Sequence, residues 1–289
     1  MDAISLAEEA DELYRRGEFE DAVLFYDRAM ERYSENKELY NRRGLALCRM
    51  DRHQDAIDSF DAALKIDPQY TDALNNKGVV FYKQKRYYEK RYYEAMAFFD
   101  QIIERDPKYV RAWYNKGVVL DRLGRFREAV ICYDKAIDIN PGGARIWSNR
   151  GASLGNMGEL EGAIDSFDRS ILLQPGRGEV WSNKGAALAK LYRYDEALKH
   201  FDRALDIDPL NGDAWYNRGE ALRRLNRYAE AILDFERAIE IDAGHARAWS
   251  GKALALKALG SEEEAEAALA RGAEIMLNLS GRGSGDKER

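Results

Sequence analysis

The side chains best suited to chemistry in this sequence are amides rather than nucleophiles. Asn76, Asn115, Asn149, Asn183 and Asn217 recur down the chain, the last four at a fixed spacing of 34 residues. A carboxamide both donates and accepts, so a row of them can bond to the backbone of an extended peptide without demanding a particular side chain. The same row would also serve to hold neighbouring helices in register. Tyr82, Tyr114 and Tyr216, with Arg111 and Arg145, stand at related positions and complete a candidate binding surface. Catalytic chemistry has less to work with. His53, His200 and His245 fall in separate segments, and Cys48 and Cys132 have no metal-ligand spacing. Catalysis needs groups that converge, so no catalytic, metal or cofactor site is expected, and the two thiols read as free cysteines of a reducing compartment.

The elements that must position these amides follow from a repeat. Trp113, Trp147, Trp181, Trp215 and Trp249 are spaced 34 residues apart. With this tryptophan as position 4, position 8 is small throughout (Ala10, Gly44, Gly78, Gly117, Gly151, Gly185, Gly219, Ala253). Position 20 is always alanine, from Ala22 to Ala265, and position 24 is aromatic until Leu269 in the last repeat. Position 32 is proline five times: Pro68, Pro107, Pro141, Pro175 and Pro209. Positions 4, 8 and 11 form one stripe of a first helix, and 20, 24 and 27 one stripe of a second. The small residues admit close approach, the aromatics fill the space beside them, and proline stops the second helix. The asparagines occupy position 6, on a stripe with positions 2, 9 and 13 turned about 200° from the buried one at 100° per residue. That stripe is expected to point away from the packing.

A 34-residue helix-turn-helix with W, G, A, F/Y, A and P at these offsets resembles the tetratricopeptide repeat. The resemblance implies an all-α fold, a right-handed α-solenoid (superhelix) of tandem hairpins, covering residues 3–279. The units are 3–36, 37–70, 71–109, 110–143, 144–177, 178–211, 212–245 and a cap-like 246–279, with 280–289 expected as a flexible tail. It also implies that first helices line a concave groove, and that the chain is a protein-interaction adaptor or scaffold holding an extended peptide there. The amide row is similar to the one lining the tetratricopeptide groove of O-linked N-acetylglucosamine transferases. The lysine-and-asparagine clamp of chaperone-binding members is missing, because position 5 is never lysine and position 9 never asparagine. Self-assembly through the ends or convex face, or service as the regulatory region of a larger protein, are the alternatives.

Within the groove, repeats 5 and 6 offer a shallow floor of Ser148, Ala152, Gly155, Ser182, Ala186 and Ala189. Basic residues such as Lys190 suggest a polar segment with some acidic character. The third unit carries five extra residues, where Arg86–Lys90 is repeated as Arg91–Ala95 with alanine in place of lysine. With Lys85 where a turn glycine often stands, one helix there is expected to run more than a turn longer, and its tyrosines could dock a partner. The net charge of −6 with both signs mixed lacks the clustered basic residues of a nucleic-acid binder. No apolar run approaches a membrane span and no signal peptide is apparent, so the expected location is cytoplasmic and the expected partner a protein or peptide. The apolar end Ile275–Leu279 leaves homo-oligomerisation through the C-terminal end open.

Overall fold

The computed structural model describes residues 2–83 and 88–284. Its described residues form helices and the turns between them, in two compact units, Met1–Pro141 and Gly142–Arg289. The first unit holds four hairpins: α1 (Ala3–Arg16) with α2 (Phe19–Arg32), α3 (Lys37–Arg49) with α4 (His53–Ile66), α5 (Thr71–Lys83) with α6 (Tyr88–Arg105), and α7 (Val110–Arg122) with α8 (Phe126–Ile139). The second holds α9 (Ala144–Met157) with α10 (Leu160–Leu173), α11 (Gly178–Lys190) with α12 (Tyr194–Ile207), α13 (Gly212–Arg224) with α14 (Tyr228–Ile241), and α15 (Ala246–Ala258) with α16 (Glu262–Ser284). In both units each hairpin packs on the next through its second helix. First helices of neighbouring hairpins also touch, as α3 with α5 and α11 with α13, whereas second helices show no comparable contact among the described residues. The first helices are therefore the more crowded layer of each unit.

The core is built from small residues beside large ones. Ala22, Ala56, Ala95, Ala129, Ala163, Ala197 and Ala231 are wholly buried, as are the rings of Phe60, Phe99, Tyr133, Phe201 and Phe235. Each ring lies against the position-8 glycine of its own hairpin, so close that a methyl group on Gly44 would sit 2.5 Å from Phe60 Cε1. The stripe expected at positions 4, 8 and 11 needs one correction. Leu6 and Leu74 are buried at position 4, but the tryptophans are only half-buried, and position 3 takes their place in the core (Ala112, Ile146, Val180, Ala214, Ala248). The reason is the indole N–H, which must find an acceptor. Trp113, Trp181 and Trp215 donate it at 2.9 Å to the carbonyls of Pro107, Pro175 and Pro209, pinning the turn between hairpins.

The second helices end where the sequence stops them. The residue before each proline is pushed out of the helical region, and Asp67, Asn140, Gln174 and Asp208 are extended there with ψ between 81° and 97°. Asp67, Asp106 and Asp208 then accept a hydrogen bond from the backbone N–H two residues on, closing an Asx turn. Two helices depart from the pattern. α6 has 18 residues where α2, α4 and α8 have 14, in keeping with the expected elongation, while Arg86 and Tyr87 of the duplication lie outside the described residues. α16 has 23 and runs to Ser284, past the expected start of a flexible tail at 280. Leu277 stands there at the position proline holds in five hairpins. Residues 285–289 lie outside the described residues.

Candidate functional site

The sequence-singled residues divide between the two units. In the first, the amides are engaged by one another. Asn76 is buried, donates Nδ2 to Asn41 Oδ1 at 3.0 Å, and accepts from Asn75 Nδ2 at 3.3 Å and Arg111 Nη2 at 3.2 Å. Asn115 is half-buried and donates to Asn75 Oδ1 at 2.8 Å. Arg111 is exposed but also reaches Asp72, whose carboxylate accepts the Tyr109 hydroxyl at 2.6 Å. The expectation that position 6 points away from the packing therefore fails at Asn76. Neighbouring first helices come close enough for their amides to meet, and a buried amide takes the partners at hand. Tyr82 and Tyr114 are half-buried, and the Tyr114 ring lies 6.1 Å from that of Tyr133.

In the second unit the same positions are more open. Asn183 is exposed and Asn217 half-buried, and neither side chain forms a hydrogen bond among the described residues. Asn149 is half-buried and its backbone carbonyl accepts Ser153 Oγ at 3.0 Å. Arg145 is exposed. A hollow of about 150 Å³ opens between α9 and α11, lined by Ala152, Gly155, Asn156, Asn183, Ala186 and Lys190 among others. It holds three of the six residues expected as a shallow floor. Of the remainder, Ser148 and Ser182 are instead buried beneath the surface. Lys190 at its rim is exposed. Tyr216 sits apart from it, its ring 5.1 Å from His245 and covered by the Arg247 guanidinium at 5.0 Å, and burial raises its hydroxyl above the usual tyrosine range.

An ion-pair series that the spacing analysis did not single out ties consecutive hairpins together. A cation at position 7 meets the carboxylate at position 25 of the hairpin before it. Arg43 bonds Asp27 at 2.6 Å, Lys77 bonds Asp61, Lys116 bonds Asp100, Lys184 bonds Asp168 at 2.5 Å, and Lys252 bonds Glu236 at 2.7 Å. The recurring carboxylates are thus structural. Arg218 does more, clamping Asp234 with two bonds at 2.7 and 2.8 Å while also reaching Asp202 at 2.7 Å. Among the described residues no group of three or more His, Cys, Asp or Glu could hold a metal ion. Burial pushes both thiols, Cys48 and Cys132, up to about 11, which removes thiolate reactivity near neutral pH. No described helix is long and apolar enough to cross a membrane.

Comparison with known proteins agrees with the repeat. A tetratricopeptide-repeat family model matches residues 8–71, 149–211 and 190–246, more than half of the chain, and a second model of that family matches 110–142. A model of the protein prenyltransferase alpha subunit repeat matches 92–123. Tetratricopeptide repeat protein 12 of Mus musculus is 32% identical over 85 residues, which is 29% of this chain but only 12% of that protein's length. Among solved structures, YrrB, described as a TPR protein with an unusual peptide-binding site, aligns at 23% identity and TM-score 0.56, over 66% of this chain and 96% of its own. The APC/C hetero-tetramer Cut9-Hcn1 aligns at 18% identity and TM-score 0.66, over 94% of this chain and 53% of that one. A tetratricopeptide repeat protein from Parabacteroides merdae ATCC 43184 aligns at 16% identity and TM-score 0.63, over 88% and 98%. These structural likenesses speak to the fold alone. The matched repeats and the stacked hairpins lead to one assignment: the chain belongs to the tetratricopeptide-repeat family.

Proposed function

We propose that the chain is a non-catalytic protein-interaction scaffold, and that it holds an extended peptide segment against the first helices of its second unit, around Asn183. The observation that carries this reading is the contrast between the two sets of amides. Asn76 and Asn115 have their hydrogen-bonding groups engaged by Asn41, Asn75 and Arg111, whereas Asn183 and Asn217 keep theirs available. An extended backbone needs both donors and acceptors. Gly155, Ala152 and Ala186 let it lie close, and Lys190 suits an acidic side chain of the ligand. The proposed partner is a protein or peptide in the cytoplasm, with no nucleic acid and no cofactor involved. The test is the triple substitution of Asn149, Asn183 and Asn217 by alanine, with partner proteins recovered from cell extract and identified by mass spectrometry. Loss of the recovered partners with unchanged helicity supports the reading, and undiminished recovery refutes it. Asn76→Ala serves as the counterpart, since it should lower the unfolding midpoint and leave recovery intact.

A second reading, self-association through the C-terminal end, is favoured by one observation. Leu254, Leu269 and Met276 on the last hairpin are 50–54% exposed, although the residue at the position of Leu269 is at most 3% exposed in every other hairpin.

A further inference from the structure

We propose that the segment held along α9 and α11 is acidic at a defined place: one of its carboxylates sits between Arg145 and Arg177, at the start of these two helices. The inference rests on the groove reading and names the chemistry of its ligand. Arg177 is the N-cap residue of α11 and Arg145 the second residue of α9. In two other hairpins the same two places bring an acid to a donor. The Tyr109 hydroxyl, at the cap of α7, donates to Asp72 of α5 at 2.6 Å, and His245, at the cap of α15, has its Nε2 3.5 Å from Asp213 of α13. In α9 Arg145 stands where the acid would be, so the equivalent pair is cation against cation.

The fold gains nothing from that pair by itself. A cation beside a helix N-terminus opposes the helix dipole. Arg145 is exposed and forms no hydrogen bond or ion pair among the described residues. Arg111 and Arg247, at the same helix position, meet Asp72 and Asp213. Arg177 is mostly buried, with its side chain 21% exposed. Its Nη2 bonds Glu179, while its Nη1 is buried with no hydrogen-bond partner among the described residues. A buried donor left open calls for an acceptor that the chain does not supply. Two arginines and one glutamate leave a single positive charge. That matches one carboxylate better than a phosphoryl group with its charge of about −1.5 to −2.

The place also fits the path of the segment. Asn149 follows Arg145 by four residues, about one helical turn, so a backbone lying on the amides brings a side chain to the arginines. Lys190, exposed at the other end of α11, comes thirteen residues after Arg177 and so about 20 Å along the helix. An extended chain covers that length in about six residues. A segment lying lengthwise therefore meets both cationic ends when it carries two acids at that spacing.

The test is selection of a phage-displayed library of random dodecapeptides on the full-length chain, followed by fluorescence anisotropy with the selected peptides. Selected sequences should be enriched several-fold in Asp and Glu over the input, in pairs about six residues apart. Arg145→Glu should weaken their binding by about tenfold or more. The same substitution should raise the thermal midpoint, because an acid then stands at the start of α9 and beside Arg177. A lowered midpoint together with lost binding would make Arg145 a structural residue and overturn the proposal. Peptides that lose binding to Asn183→Ala but show no acidic preference overturn the carboxylate site and leave the groove reading standing. Tighter binding of a peptide with phosphoserine in place of the selected acid overturns the choice of carboxylate. Failure to select any peptide overturns both the groove reading and this site.

Discussion

Phe201 leaves no room for a side chain on Gly185: a methyl group there would sit 2.7 Å from the ring's Cε1 and 2.9 Å from Cδ1. The ring is wholly buried and cannot retreat. Alanine is favoured over glycine inside a helix by about 1 kcal/mol, but overpacking a closed core costs about 1–3 kcal/mol. Gly185→Ala should therefore lower the thermal midpoint, and Phe201→Leu in the same chain should recover part of the loss. Gly155 gives the opposite sign. A methyl group there would meet only Ala163 Cβ at 3.8 Å, so Gly155→Ala should raise the midpoint. If both alanines moved it the same way, packing at position 8 would not be what selects glycine.

Tyr192 holds the turn between α11 and α12 at φ 62°, a place that Gly17, Gly124, Gly158 and Gly260 fill elsewhere. A bulky side chain in the left-handed region is strained by about 1–2 kcal/mol. Its ring is 79% exposed and leans edge-on against Tyr194 at 6.2 Å, so little burial offsets the strain. Glycine loses about 0.5–1 kcal/mol more in backbone entropy on folding, which is the smaller quantity. Tyr192→Gly should raise stability by up to about 1 kcal/mol, read as a higher urea midpoint at unchanged slope. A lower midpoint would mean that the Tyr194 contact outweighs the strain.

How far the sequence carried depended on whether a feature repeats within one hairpin or arises between hairpins. The Gly185–Phe201 contact was legible, because both residues recur at fixed offsets in a pattern whose helical period is explicit. The half-burial of the tryptophans was not, since it depends on a carbonyl six residues earlier that only the folded turn presents. Nor was the engagement of Asn76, because Asn41 stands one place off the asparagine column and the five-residue insertion shifts Arg111 relative to Asn76. The Lys184–Asp168 pair lay in plain sight as two periodic columns, a basic position 7 and an acidic position 25. Linking them needed the knowledge that each second helix packs on the following first helix. The open face around Asn183 was anticipated in kind, while the loss of Ser148 and Ser182 to the interior came from how deeply position 5 is packed.

His200 gives the fold an acid-sensitive point. Its ring stacks on Trp181 at 5.5 Å, its Nδ1 is buried without a hydrogen bond, and burial followed by the nearby Lys184 holds it below the usual histidine range. The unfolded chain, with an ordinary value near about 6.5, then binds the proton better than the folded one. Stability from this group is intact above that value and is lost through the acidic window below it. Carboxylates held low by their partners, such as Asp67 beside Lys37, release theirs only at lower pH. His200→Phe, which matches Phe25 and Phe98 at the same position, should flatten the unfolding midpoint across that window relative to the parent. Parallel slopes in the two proteins would remove His200 as the cause.

Arg218 is the cation whose loss should be felt most. Its neighbours in the series meet exposed acids, and partly exposed pairs contribute about 0–1 kcal/mol. Arg218 also holds Asp234, whose side chain is 5% exposed and whose carboxyl burial pushes up despite the guanidinium beside it. Arg218→Met strands that acid, a loss of about 3–5 kcal/mol for a buried charge left alone. The stranded carboxyl can escape by taking up a proton. Its folded value then stands further above the unfolded one, so the folded state binds the proton better and the deficit should shrink as pH falls from 7 to 5. Asp234→Ser in the same chain should recover most of the deficit at both pH values. Ser59 and Ser166 occupy that position in other hairpins and satisfy themselves on the carbonyls of Asp55 and Gly162. Lys184→Met, whose partner Asp168 is 53% exposed, should change the midpoint far less at pH 7. Equal losses from the two methionines would show that burial of Asp234 is not what makes Arg218 different.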